Sequence, residues 1–93
     1  MSEEYSNFPP LSILKTVLQN KPRAAYVLIK LWKFYKVLKL KKIVVNKDRI
    51  RQQFGISQTL FKNHIYSLSY LNVILYTESL EKIIIHLREE LCE

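Results

Sequence analysis

Glycine is nearly absent: Gly55 is the only one in 93 residues. That excludes a glycine-rich phosphate loop, which needs several glycines to bring backbone close to a nucleotide. Cys92 is the only cysteine, so no intrachain disulfide can form. With only His64 and His86 beside it, there is no cysteine-histidine set for zinc. One cysteine also fits a reducing, intracellular setting. Cys92 itself has two readings, a free thiol near a mobile chain end or an intersubunit disulfide across a dimer axis. No apolar run is long and uncharged enough for a transmembrane helix. The opening MSEEYSNFPP has neither the basic nor the apolar region of a signal peptide, so the expected location is cytoplasmic. The carboxylates gather in the tail without a partner motif, and Glu89-Glu90 reads as a solvent-facing pair. Catalysis has little support. The expectation is a protein that is not an enzyme, with no cofactor, no metal and no evident small-molecule ligand.

What is abundant is apolar surface and positive charge. Hydrophobic residues make up 48% of the chain, which sets it apart from disordered sequences. The length allows one domain with a thin core. The net charge is +7, and it is unevenly placed. Residues 21–62 carry twelve Lys or Arg against Asp48 alone, while residues 63–93 carry five glutamates against Lys82 and Arg88. A basic block of this kind fits a polyanion partner, because Lys and Arg release counterions when they neutralise phosphates. The same block also reads as solvated helix faces.

Residues 1–9 read as a flexible N-terminal arm and 10–93 as one domain. Pro9-Pro10 sets up a helix from Pro10 to about Gln19, since proline suits a first helical turn. Its stripe is Leu11, Leu14 and Leu18, with Ile13 and Val17 beside it. Asn20-Lys21-Pro22 breaks the run. A second helix is predicted from Pro22 to about Lys39, with a main stripe of Ala24, Val27, Leu28, Leu31, Phe34, Tyr35 and Leu38. Its other side is also apolar, through Tyr26, Ile29, Trp32, Val37 and Leu40, set among lysines. A helix apolar most of the way round must be covered on two sides. A homodimer interface on those five residues is the favoured cover. The alternative is a monomer that covers both sides with its N-terminal helix and snorkelling lysines.

The short β-branched run Lys42-Ile43-Val44-Val45 predicts a strand. Asn46 is the expected N-cap of a third helix over 47–54, with Asp48 in its first turn. Gly55-Ile56-Ser57 then reads as a turn, and Ser57 as the cap of a fourth helix reaching Leu71-Asn72. Asn72 tolerates the left-handed backbone that ends a helix. The tail reads as a β-hairpin, Val73–Thr77 and Ile83–Leu87, with Glu78–Lys82 between. Leu80, Ile83, Ile84, Leu87 and Leu91 also fit helical spacing, but three consecutive isoleucines favour β. Residues 88–93 read as a helical or frayed end.

Two helices joined by a short glycine-containing turn, here over 46–72, make a helix-turn-helix, which presents its second helix to the DNA major groove. With Phe61, Ile65, Leu68 and Leu71 buried, the exposed face carries Gln58, Thr59, Lys62, Asn63 and Tyr66. Gln and Asn can pair with adenine edges, Lys can reach guanine, and Thr can touch a thymine methyl. These five are the base-reading candidates. Phosphate contacts are expected from Lys41, Lys42, Lys47, Arg49 and Arg51, and from Ser57 at the start of the fourth helix, where free N–H groups attract phosphate. Each of these positions could equally be an ordinary solvated surface residue.

The order helix, helix, strand, helix, glycine turn, helix, two strands resembles winged-helix DNA-binding domains. Ile50, Phe54, Gly55-Ile56-Ser57, Phe61, His64-Ile65, Leu68 and Val73-Ile74 look like that superfamily's core pattern across residues 43–87. Small bacterial, archaeal and archaeal-virus transcription regulators are similar. The resemblance implies an α+β winged helix-turn-helix, mostly helical, with a β-hairpin wing over 73–87 and an extra N-terminal helix. It also implies that His64 has a structural or phosphate-contacting role. Arg51 departs from the pattern, standing where a small residue is usual, and must point outward or spread the helix pair. Asn72 departs mildly, standing where glycine is frequent. The wing loop is short and acidic, so little DNA contact is expected from its tip.

The leading expectation is therefore a sequence-specific, dimeric regulator of transcription that binds double-stranded DNA, with helix 57–71 in the major groove. The alternative is a winged-helix protein-interaction or assembly module without DNA binding. RNA binding ranks last, because the strands offer only Tyr76 as a stacking aromatic.

Overall fold

A short helix anchors the beginning of the chain because two prolines fix how it starts. In the computed structural model, α1 spans Leu11–Asn20 with Pro10 as its extended N-cap residue. The structure describes residues 9–38 and 42–87, with the side chains of Val37 and Leu38 excluded. Residues 1–8 of the expected arm, Lys41, Leu40 and Cys92 therefore lie outside the described residues, as does the expected end at 88–93. Pro9, the one described residue of that arm, is buried.

The α1 stripe is rotated from the expected one. Val17 is fully buried and Ile13 and Leu14 pack against the core, while Leu11 and Leu18 are 68% and 48% exposed. Every position from Leu11 to Leu18 except Ser12, Lys15 and Thr16 is apolar. Periodicity alone therefore fits more than one facing direction, and the tertiary contact chooses among them.

Helix α2 spans Ala24–Leu38 and begins two residues later than expected. The Ala24 N–H donates to the Lys21 carbonyl at 2.9 Å and the Ala25 N–H to the Pro22 carbonyl at 3.2 Å, so Lys21–Arg23 form a tight turn. Ala24, Ala25, Val27, Leu28, Leu31 and Trp32 are buried. Phe34 and Tyr35 pack against the same core.

Three strands follow from the β-branched runs. β1 is Lys42–Asn46, β2 is Ile74–Glu78 and β3 is Lys82–Leu87. They form an open antiparallel sheet in the order β1-β3-β2. The register sets Ile43 opposite Ile85 and Val45 opposite Ile83. Ile74 stands opposite Leu87. All six are buried, so the alternation of the strands puts one face of the sheet into the core.

The expected third helix divides in two. Lys47–Arg49 form a 3-10 turn, and only Ile50–Phe54 are α-helical, as α3. Asn46 makes no side-chain cap. It is still part of β1, paired with Lys82, and the Lys47 N–H donates to the Glu81 carbonyl at 2.9 Å. The chain leaves the sheet only after Lys47, and a tight turn is what redirects it.

Gly55 ends α3 with φ of 73°, the left-handed conformation that glycine adopts without steric cost. Ser57 then caps α4, Gln58–Tyr70, its Oγ accepting from the Leu60 N–H at 3.1 Å. Phe61, Ile65 and Leu68 are buried. Leu71, expected in that stripe, lies just past the helix and is half-buried. Asn72, with φ of 62°, turns the chain into β2. A row of rings joins the helices: Phe34 meets Phe54 edge-on at 5.9 Å, and Phe54 meets Phe61 at 4.6 Å. Among the described residues the fold is thus α+β, four helices and a small three-stranded sheet, with α2 and α4 packed against the sheet. No described helix is long and apolar enough to cross a membrane.

Candidate nucleic-acid interface

Burying Phe61, Ile65 and Leu68 fixes how α4 faces its surroundings. Positions 59, 63, 66 and 70 follow one another at helical spacing on the opposite side. Thr59, Asn63, Tyr66 and Tyr70 are all exposed, Tyr70 by 80%. Gln58, at the first position of the helix, is exposed as well. This outward stripe has a different chemical environment on each flank.

On the flank toward the sheet, three side chains converge on Glu78 at the end of β2. Lys47 Nζ lies 2.7 Å from Glu78 Oε2 and Lys62 Nζ lies 3.1 Å from the same oxygen. The Tyr66 hydroxyl donates to Glu78 Oε1 at 3.0 Å. Hydrogen bonds from Lys47 and Lys62 hold the Glu78 carboxyl down at about 2, well below its ordinary 4.5. The same hydrogen bond to Glu78 raises Lys62 and Tyr66. The Tyr66 ring also rests against Tyr76 at 5.6 Å. Two expected base readers and one expected phosphate contact are therefore tied to an acid at the far end of β2, six residues past Asn72. Sequence reasoning placed Glu78 only in an acidic loop. Its partners lie 12 to 31 residues away along the chain, beyond the reach of local pattern.

On the other flank, α4 and the α1–α2 turn enclose an open cavity of about 350 Å³, lined by Lys21, Arg23, Asn63, His64 and Ser67 among others. Burial, and then the Arg23 charge, lower the His64 pKa from 6.5. Ser67 Oγ donates to the Asn63 carbonyl at 3.0 Å. Lys21 and Arg23 belong to the basic block, but nothing in the sequence marks them as contacts. Their approach to α4 depends on how α2 packs, which no local motif encodes.

The remaining candidates are dispersed. Lys42 is exposed on β1, opposite His86. Arg49 and Arg51 are exposed around α3, so Arg51 points outward and leaves the helix pair closed. Ser57 spends its side chain on the α4 cap.

The expected dimer surface changes most. Trp32 is 3% exposed in the single chain, inside the core, with Lys36 Nζ over its ring at 5.5 Å. A residue already buried by its own chain cannot be the centre of an interface, so Trp32 is withdrawn from that set. Ile29 is half-buried. Tyr26 is exposed but uses its hydroxyl, which donates to the Phe54 carbonyl at 2.7 Å. The side chains of Val37 and Leu40 lie outside the described residues.

Among the described residues, no group of three metal-ligating side chains comes together. In comparison with known proteins, the chain matches no family model, no curated protein and no solved structure.

Proposed function

We propose that this chain is a winged-helix protein that binds double-stranded DNA, with α4 as the major-groove helix and the β2–β3 hairpin as the wing. The observation that carries this reading is the outward stripe of α4. Thr59, Asn63, Tyr66 and Tyr70 are exposed on a helix whose opposite side is fully buried. These side chains can hydrogen-bond base edges and phosphates, and cations stand on both flanks. The element order supports the reading too, since the helix pair is inserted between strands of one sheet. A role in transcription regulation, and a dimer on a near-palindromic site, would follow the usual use of such a helix pair.

The test is binding to random-sequence duplex DNA across a salt series, followed by selection of a preferred site. Binding should weaken steeply as salt rises, because phosphate neutralisation releases counterions. Gln58→Ala/Thr59→Ala should leave binding to random duplex nearly unchanged and reduce preference for the selected site. Each lost base contact should cost about 1–3 kcal/mol of discrimination. Absence of binding at low salt would overturn the reading.

A second reading has its own support. Glu78 offsets part of the charge of Lys47 and Lys62, and the outer side of the sheet leaves Val44 and Leu75 exposed, with Leu80 in the β2–β3 turn. Those features suit a protein-interaction or assembly module with the same fold. Pull-down by DNA, against pull-down by partner proteins through the outer sheet, separates the two.

A further inference from the structure

We propose that the cavity between the α1–α2 turn and α4 is a phosphate-binding site, with Lys21 and Arg23 supplying the charge. The site takes the tetrahedral phosphate oxyanion, either a phosphodiester of bound duplex or a free phosphate group. The first source rests on the DNA-binding reading above, and the second does not.

Three observations carry the site. First, among the described residues the cavity is lined by Lys21 and Arg23 and by no carboxylate. Among the described residues, neither cation has an ion-pair partner, whereas Lys47 and Lys62 on the opposite flank of α4 share Glu78. Two lysines against one carboxylate leave, among the described residues, one unbalanced positive charge on that flank, against two on the cavity side, so the larger uncompensated charge beside α4 is on the cavity side. Second, the lining, though mostly apolar, adds polar donors beside the two cations. His64 and Asn63 carry N–H donors. Third, the position is apt. Asn63 belongs both to the cavity lining and to the exposed stripe of α4, so a phosphate held here lies beside whatever that stripe meets. Cations at this distance from a groove-reading helix fix its register without reading sequence.

This changes the expected path of a bound strand. The sequence pattern alone points to backbone contacts from Lys41, Lys42, Lys47, Arg49, Arg51 and Ser57. The charge balance instead assigns the stronger contact to Lys21 and Arg23.

The experiment compares wild type with Lys21→Gln/Arg23→Gln, and with Lys30→Gln/Lys33→Gln as a control that removes the same charge elsewhere. All are checked for folding by circular dichroism. One arm measures random-duplex affinity across a salt series. The other titrates inorganic phosphate into each protein and follows the amides of Asn63, His64 and Ser67 by NMR. For a duplex phosphate, the Lys21/Arg23 variant should bind about tenfold more weakly near ~0.1 M salt, and its salt slope should shrink by about one, since the one phosphate neutralised there contributes about 0.9. The control should change much less. For a free phosphate, wild-type amides should shift saturably and the variant's should not, whatever happens with DNA. If wild type fails to bind DNA but its cavity responds to phosphate, the DNA-binding reading falls and the site stands. If wild type binds DNA, the two variants behave alike and phosphate moves none of the three amides, the site is refuted and the DNA-binding reading survives. If wild type responds to neither ligand, both fall.

Discussion

Lys62 Nζ stands 3.1 Å from Glu78 Oε2, so the only lysine of α4 is already paired inside the protein. The same Glu78 oxygen also holds Lys47, at 2.7 Å. One carboxylate thus lowers the effective charge of the flank where the hairpin meets the helix. It also holds the two in a fixed relation, through groups from three separate elements.

Glu78→Gln should release that charge. Lys47 and Lys62 become available to phosphate, so affinity for random duplex should rise and the salt slope should steepen by about one to two. Discrimination between sites should fall, because the added contacts are indifferent to sequence. An unchanged slope would show that these two lysines do not face the duplex.

The same carboxylate sets an acid limit on stability. Its folded pKa of about 2 lies below the ordinary 4.5, so the stabilisation it provides is fully present above about pH 4.5 and is lost as pH falls toward 2. Wild type should therefore lose more stability than Glu78→Gln over that interval. Denaturant midpoints at pH 7, 4.5 and 3 read this directly, and parallel curves would rule the clamp out as a contributor.

Tyr26 and Gly55 form a second junction, between α2 and the end of α3. Tyr26→Phe removes the 2.7 Å hydrogen bond to the Phe54 carbonyl and should cost about 1 kcal/mol. At Gly55 a methyl group would meet Tyr26 Oη at 3.9 Å, an ordinary contact, so space is not what forbids a side chain there. The left-handed backbone is, and Gly55→Ala should cost about 1–2 kcal/mol. Gly55→Asn should cost less, because asparagine tolerates that conformation. Urea unfolding measures all three.

Trp32 distinguishes a core from an interface. Buried in the single chain, it should emit as a shielded indole at any protein concentration. Trp32→Ala should destabilise by about 3–5 kcal/mol, a large share of what a domain this size possesses. Loss of self-association with unchanged unfolding would instead return Trp32 to a subunit contact.

Much of the fold is legible in the sequence because punctuation is sparse and unambiguous. Pro9-Pro10, Gly55, Ser57 and Asn72 each mark a boundary that the backbone observes. Facing directions are less legible. In α1 and α2 nearly every turn offers apolar residues on several sides, so Leu11 and Leu18 looked as buriable as Val17, and Trp32 looked available. The polar surroundings of α4 are least legible. The Glu78 clamp and the Lys21/Arg23 cavity join residues brought together only by the packing of the sheet and of α2 against α4.

The order β1-β3-β2 places α3, α4 and β2 inside a loop of chain whose ends are stitched together, from Lys42 paired with His86 to Asn46 paired with Lys82. A segment closed in this way cannot peel off alone. Its detachment requires the whole five-residue ladder to open, and its formation must wait for two distant strands to meet, which slows folding. Amide protons of Ile43, Val45, Ile83 and Ile85 should then exchange with solvent in the same cooperative event as those of Phe61 and Ile65. The outward stripe of α4 is thereby presented on a support that opens completely or not at all.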